Sequence, residues 1–143
     1  MERTRTDFVG QRQQKPVLVP TAEALGVIGV IRSLGRAGYP IHACAPASTA
    51  LGLHSRYAAR AVIHPPDFLG WLQAYVRDHS IQAIIPSESF YLAVRSEYDA
   101  WSQLIPDAVS ADVVYRSLSK CSIATHFASA ADDRLRQHLP LSI

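Results

Sequence analysis

Apolar residues fall along this chain in two alternating rhythms. Val17, Leu18 and Val19 form an unbroken run that ends at Pro20, as a strand buried on both faces would. Val27, Ile28, Val30, Ile31 and Leu34 then recur at helical spacing, with Arg32, Ser33 and Arg36 facing away. Thr21 stands where a helix cap is expected and Gly38 where a helix stops. Residues 41–45, IHACA, supply a second apolar run. Strand, amphipathic helix and strand over residues 15–46 make the opening unit of a parallel α/β sheet.

The same alternation continues. Residues 46–55 are small and turn-forming, and residues 61–63 predict a third short strand that Pro65 and Pro66 stop. Asp67 is placed to cap a second helix, whose buried stripe is Phe68, Leu69, Trp71, Leu72, Tyr75 and Val76 and whose end lies at Asp78, His79 and Ser80. Residues 83–85 predict a fourth strand, closed by Pro86, and Ser87, Glu88 and Ser89 open a third helix running to about Tyr98. Either residues 104–106 or residues 108–110 could add a last, weaker strand, and both readings stand. Residues 111–118 and 119–127 read as helical. The pattern predicts one domain over residues 15–127, a flexible polar segment at 1–14 and a tail of uncertain structure at 128–143.

Composition narrows the function classes. Of the 143 residues, 48% are hydrophobic and 18% charged, enough apolar surface to offset chain entropy in a folded domain. The net charge of +2 is nearly balanced and, apart from Arg3, Arg5 and Arg12 near the start, the basic residues are scattered, so no nucleic-acid partner is expected. No apolar run approaches the roughly 20 residues that span a bilayer, and no signal-peptide core opens the chain; the expectation is a cytoplasmic protein without a membrane partner. Cys44 and Cys121 make neither a disulfide framework nor a metal-ligand set.

Few motifs carry chemistry. Gly26 and Gly29 do not form the G-x-G-x-x-G turn of a dinucleotide site, and Cys44 to Ala47 stand where its ribose-binding acid would be. The two glycines are therefore read as close-packing positions of helix on sheet. There is no Walker sequence and no G-x-S-x-G nucleophile elbow. The six histidines lack ligand spacing; His54, in the phrase HSRY, is the one held open because its loop is expected on the ligand side. Glu23 and Glu88 each follow a strand and could converge at the carboxyl edge of the sheet, where open α/β folds bind ligands. Equally, both could complement helix dipoles.

Four stretches together, VLVPTAEALGVIGVIRSLGRAGYPIHACAP, HSRYAARAVIHPP, IIPSESFYLAV and YRSLSKCSIATHF, resemble the amino-terminal pre-ATP-grasp domain of ATP-grasp ligases, in the carbamoyl-phosphate-synthase-like and carboxylate-amine ligase group. The resemblance covers residues 15–127. It implies a Rossmann-like α/β fold, an open parallel sheet of four to five strands in three layers with helices on both faces. It implies, further, that the domain shapes one wall of a substrate site while two other domains hold ATP and magnesium, so no cofactor is expected in this chain itself. Carried onto this sequence, it puts Thr21, Ala22 and Glu23 in the first substrate-side loop, Ser55 and Arg56 in the second, and Ser87, Glu88 and Ser89 in the third. Arg56 would meet an anionic substrate group, Ser87 and Ser89 would donate hydrogen bonds, and Glu88 would orient an amine. Lys120 matches the lysine of the family's Asp-Lys pair, which in some members reaches the nucleotide phosphates, although Ser119 replaces the acid here.

The stretch after Phe127 is too short for an ATP-grasp core. The resemblance thus implies no ligase activity from these residues alone and an ATP-grasp catalytic domain or subunit as partner. A second function class fits the same pattern: a stand-alone structural or oligomerising module with no small-molecule ligand, in which exposed Tyr98, Trp101 and Leu104 would supply a homo-oligomer contact. A flavodoxin-like or response-regulator-like signalling domain is disfavoured, because no acidic cluster follows the first strand.

Overall fold

The structure, a computed structural model, describes residues 14–129. The polar segment at 1–14 and the tail at 128–143 therefore fall almost wholly outside the described residues. Four strands, β1 (Val17–Val19), β2 (Ile41–Ala45), β3 (Ala58–Ile63) and β4 (Ala83–Ile84), form one all-parallel sheet in the order β3-β2-β1-β4. Helices α1 (Leu25–Arg36), α2 (Phe68–Asp78), α3 (Glu88–Ala93), α4 (Tyr98–Ser102), α5 (Ala111–Ser117) and α6 (Lys120–Ser129) complete it. The chain is thus an α/β protein with an open parallel sheet flanked by helices, as the residue pattern predicts.

Because strand side chains alternate, the sheet feeds two separate cores. Val17, Val19, Ile41, Ala43 and Ala45 point to one face and pack with Ile31 of α1 and Leu53 of a short 3₁₀ turn at Leu51–His54. Leu18, Cys44 and Ile84 point to the other, where Leu72 and Tyr75 of α2, Phe90 of α3, Tyr98 and Trp101 of α4 and Val114 of α5 cover them. Both ends of β1 are enclosed, and Leu18 is fully buried; each such aliphatic side chain contributes about 1.5–3 kcal/mol.

Several local signals act as the sequence predicts. Asp67 caps α2, its Oδ1 accepting from the Gly70 amide at 3.3 Å. Gly38, at φ +90°, ends α1 in a conformation that other residues rarely adopt, and the Tyr39 amide then donates to the Leu34 carbonyl. Strand β3 begins earlier than residues 61–63 suggest. It reaches Ala58 through an irregularity in its pairing with β2, where Ile41 lies opposite Ala58 and His42 opposite Arg60.

Other expectations are corrected. Thr21 does not cap α1: the cap position is Ala24, with no side-chain bond. A Cβ at Gly26 or Gly29 would meet nothing within 4 Å, so neither glycine is a close-packing position; both are exposed. The third helix does not run to Tyr98 but breaks into α3, a 3₁₀ turn at Arg95–Glu97 and α4. Tyr98 and Trp101 are buried, at 3% and 5% exposure, so they close the core and cannot form a surface contact; the Tyr98 hydroxyl donates to the Val109 carbonyl at 2.6 Å. No fifth strand forms among the described residues. Instead, the Leu104 carbonyl accepts from the Ile84 amide at 2.7 Å, a single bond that covers the β4 edge.

Candidate functional site

The strand order decides where a ligand crevice lies. From β1 the chain passes through α1 on one face to β2, whereas the element that follows β4 lies on the opposite face. The direction of winding therefore reverses between β1 and β4, and the crevice opens outside their carboxyl ends. Two loops border it, residues 20–24 after β1 and residues 85–87 after β4.

The first loop is held tightly. The Ala22 amide donates to the Cys44 carbonyl at 2.8 Å, the Ala24 amide to the Thr21 carbonyl at 3.1 Å, and the Gly52 amide to the Ala22 carbonyl at 2.9 Å. These bonds bury Thr21 and Ala22 and leave Glu23 exposed beside the first turn of α1. Thr21 Oγ1 is buried without a hydrogen-bond partner, a condition it shares among the described residues with Trp101 Nε1. An unpaired buried hydroxyl costs on the order of 1–3 kcal/mol. The Leu25 and Gly26 amides that open α1 have no backbone acceptor among the described residues, and Leu25, Gly26 and Gly29 leave the surface above them bare.

In the second loop the Ile85 amide donates to the Leu18 carbonyl at 2.9 Å, which ties the chain to β1 just before it turns away. Ser87 then caps α3, its Oγ accepting from the Phe90 amide at 3.2 Å, so that oxygen is already engaged. Glu88 and Ser89 are exposed in the first turn of α3. The structure thus places Thr21, Ala22 and Glu23, and Ser87, Glu88 and Ser89, in the segments that follow two adjacent strands at one rim.

Ser55 and Arg56 are elsewhere. A parallel crossover leaves β2 at the carboxyl rim and must return to the amino rim before β3 starts. Residues 55–57 immediately precede Ala58, which pairs with Ile41 at the beginning of β2. Five residues of strand separate the two rims by roughly 15 Å. The expectation of a single rim is therefore corrected: Ser55 and Arg56 lie at the opposite edge from Thr21 and Ser87. Their loop begins on the ligand side, and only the topology shows that it ends on the other. His54 precedes them on the same crossover, and its Nε2 lies 2.9 Å from the carbonyl of Ser48, in the loop that leaves β2. Lys120 is exposed at the start of α6, which packs chiefly on α5.

Two buried titratable groups sit under the sheet's α2 face. Burial first, then Glu23, pushes the Cys44 thiol up to about 12, and the thiol lies 3.7 Å from the Val19 carbonyl, so Cys44 is unreactive at neutral pH. Burial, followed by His79 and Arg60, lowers His42 to about 4. Its imidazole is therefore neutral, and Nδ1 shares a hydrogen bond of 3.0 Å with the Tyr75 hydroxyl. Residue type alone could not distinguish this buried imidazole from the other five histidines; its position inside an otherwise apolar strand was the available signal.

No group of three or more His, Cys, Asp or Glu side chains that could hold a metal ion occurs among the described residues. Nor is any helix among them long and apolar enough to cross a membrane. No family model matches the chain, and no curated protein is found similar to it.

Proposed function

We propose that the chain is the substrate-side, pre-ATP-grasp domain of an ATP-dependent carboxylate-amine ligase, with the ATP-grasp core supplied by another domain or subunit. The observation that carries this reading is the crevice between β1 and β4. An uncapped helix start, a buried hydroxyl without a partner and two exposed carboxylates belong to the segments that border it. Free first-turn amides favour a carboxylate or acyl phosphate, and Glu23 and Glu88 favour an amine, which together are the two reactants of an amide-forming ligase. The bare surface over Leu25, Gly26 and Gly29 leaves room for a second domain to close over them. ATP and magnesium belong to that second domain, and no step of the reaction is assigned to residues described here. With Arg56 at the other rim, the anionic group is left to the α1 amides.

Calorimetric titration with amino acids and with nucleotides tests the reading. Weak amino-acid binding that Glu23→Gln and Glu88→Gln abolish is expected, with no saturable nucleotide binding. Tight nucleotide binding by this chain alone would overturn the division of labour. The competing reading, an oligomerising module, takes its contact from Tyr98, Trp101 and Leu104; the first two lie in the core and Leu104 is half-buried against it, which leaves little of that contact at the surface.

A further inference from the structure

A groove of about 520 Å³ runs along α1, between it and residues 51–57. Ile28, Arg32 and Arg36, spaced four apart, line one wall. Leu51, His54, Ser55, Arg56 and Tyr57 line the other.

We propose that this groove is a binding site for a small molecule carrying a phosphate or diphosphate group. Three guanidinium groups face one concavity, and no carboxylate is among its lining residues. The two ion pairs found among the described residues, Arg77 with Asp78 and Arg116 with Asp112, are elsewhere. Two of the three cations converge on a single oxygen: Arg56 Nη2 donates to the Tyr57 hydroxyl at 2.9 Å and Arg36 Nε donates to it at 3.3 Å. Both also lie over the ring of Tyr57, with Cζ 4.9 Å and 5.7 Å from its centroid. Two like charges held on one ring repel unless an anion lies between them, and each still has N–H donors turned away from the phenol.

The geometry selects the ligand class. Guanidinium forks match the oxygens of a phosphate, and three positive charges are better balanced by a dianion or a diphosphate than by one carboxylate. The phenol acts as a hub. Hydrogen bonds from Arg36 and then Arg56 lower its pKa from the ordinary tyrosine value, and its own O–H remains to donate outward. Ile28 and exposed Leu51 supply an apolar wall for the organic part of such a molecule. A concave pocket with three arginines, in a chain of net charge +2, suits a compact anion better than a nucleic-acid strand, which needs an extended basic track.

The groove shares no lining residue with the two loops of the proposed ligase crevice, so either reading can fail without the other. Inorganic pyrophosphate and inorganic phosphate are titrated into the full chain by calorimetry and followed by phosphorus NMR. Saturable one-to-one pyrophosphate binding is expected, weakened about tenfold or more by Arg36→Ala and by Arg56→Ala, and unchanged by Arg77→Ala. Both groove arginines are exposed, so the variants keep the fold. Arg32→Ala, which removes a charge without removing any described hydrogen bond, gives an independent loss of affinity. The proposal is overturned if neither anion binds saturably, or if the Arg36→Ala/Arg56→Ala double variant binds as the parent does. It is also overturned if sulfate binds as well as pyrophosphate, which would mean an adventitious ion only. A short single-stranded oligonucleotide that displaces pyrophosphate with a steep salt dependence would replace it with a nucleic-acid surface.

Discussion

Acid should destabilise this fold through one imidazole. His42 is 5% exposed in β2, and burial, His79 and Arg60 together lower its pKa from 6.5 to about 4. Above pH 6.5 the unfolded chain and the fold both carry a neutral His42, and the group adds no pH dependence. Between 6.5 and about 4 the unfolded chain takes up a proton that the native chain refuses, so stability falls as the pH falls. At about 1.36 kcal/mol per pH unit, lowering the pH from about 7.5 to 5 removes roughly 2 kcal/mol through this group, and the loss levels off below the folded pKa near a total of about 3 kcal/mol. Protonation fixes Nδ1 as a donor, so the 3.0 Å bond then requires the Tyr75 oxygen to accept. The perturbation is His42→Asn, whose side-chain amide can take the place of Nδ1 and hydrogen-bond Tyr75 in either direction without titrating.

Urea unfolding at the two pH values, with parent and variant side by side, isolates the effect from the exposed histidines. The variant should be less stable than the parent near pH 7.5, because asparagine suits a strand poorly, yet lose about 2 kcal/mol less on acidification. Proton NMR of the imidazole gives the direct check. A His42 midpoint near 6.5, or equal losses in parent and variant, would refute the reasoning.

Three further outcomes follow from the packing. Gly52→Ala should cost about 1–3 kcal/mol in urea melts, because its Cβ would meet the Ala22 carbonyl at 2.5 Å, the Ala22 Cβ at 2.9 Å and Ile31 Cδ1 at 3.0 Å; an unchanged midpoint would contradict that close approach. Phe90→Ala removes a ring that is 1% exposed between α2 and the sheet, and chemical denaturation should show a loss of about 3–5 kcal/mol. Asp67→Ala deletes the α2 cap and should lower stability by ~1 kcal/mol, with faster amide exchange at Gly70; unaltered exchange there would sink the assignment.

Local pattern and long-range geometry divided the determination of this molecule between them. The apolar runs at Val17–Val19 and Ile41–Ala45, the helical stripes of α1 and α2, the Asp67 cap and the stop at Gly38 were legible in the chain, because strand alternation, helical period and turn chemistry act over a few residues. So was the class of the fold, since strands separated by helices can pair in parallel only through crossovers. Where Gly26 and Gly29, Tyr98 and Trp101 would face was not legible. Both pairs suit a helix equally well whether buried or bare, and the elements that pack against them come from distant parts of the chain.

The candidate site divides the same way. Thr21 to Glu23 and Ser87 to Ser89 could be put at strand ends from the sequence, and adjacent placement of β1 and β4 joined them. The rim that Arg56 occupies was not legible, because a loop in sequence has no direction until the strands on either side are paired. The same pairing brought Arg56 and the adjacent Tyr57 to Arg32 and Arg36, twenty or so residues away, and created a cationic groove that no local motif announces. Residue order and hydrophobic period determined the elements of this protein; the order β3-β2-β1-β4 alone decided which of its charges share a cleft, because charges interact through space and not along the chain.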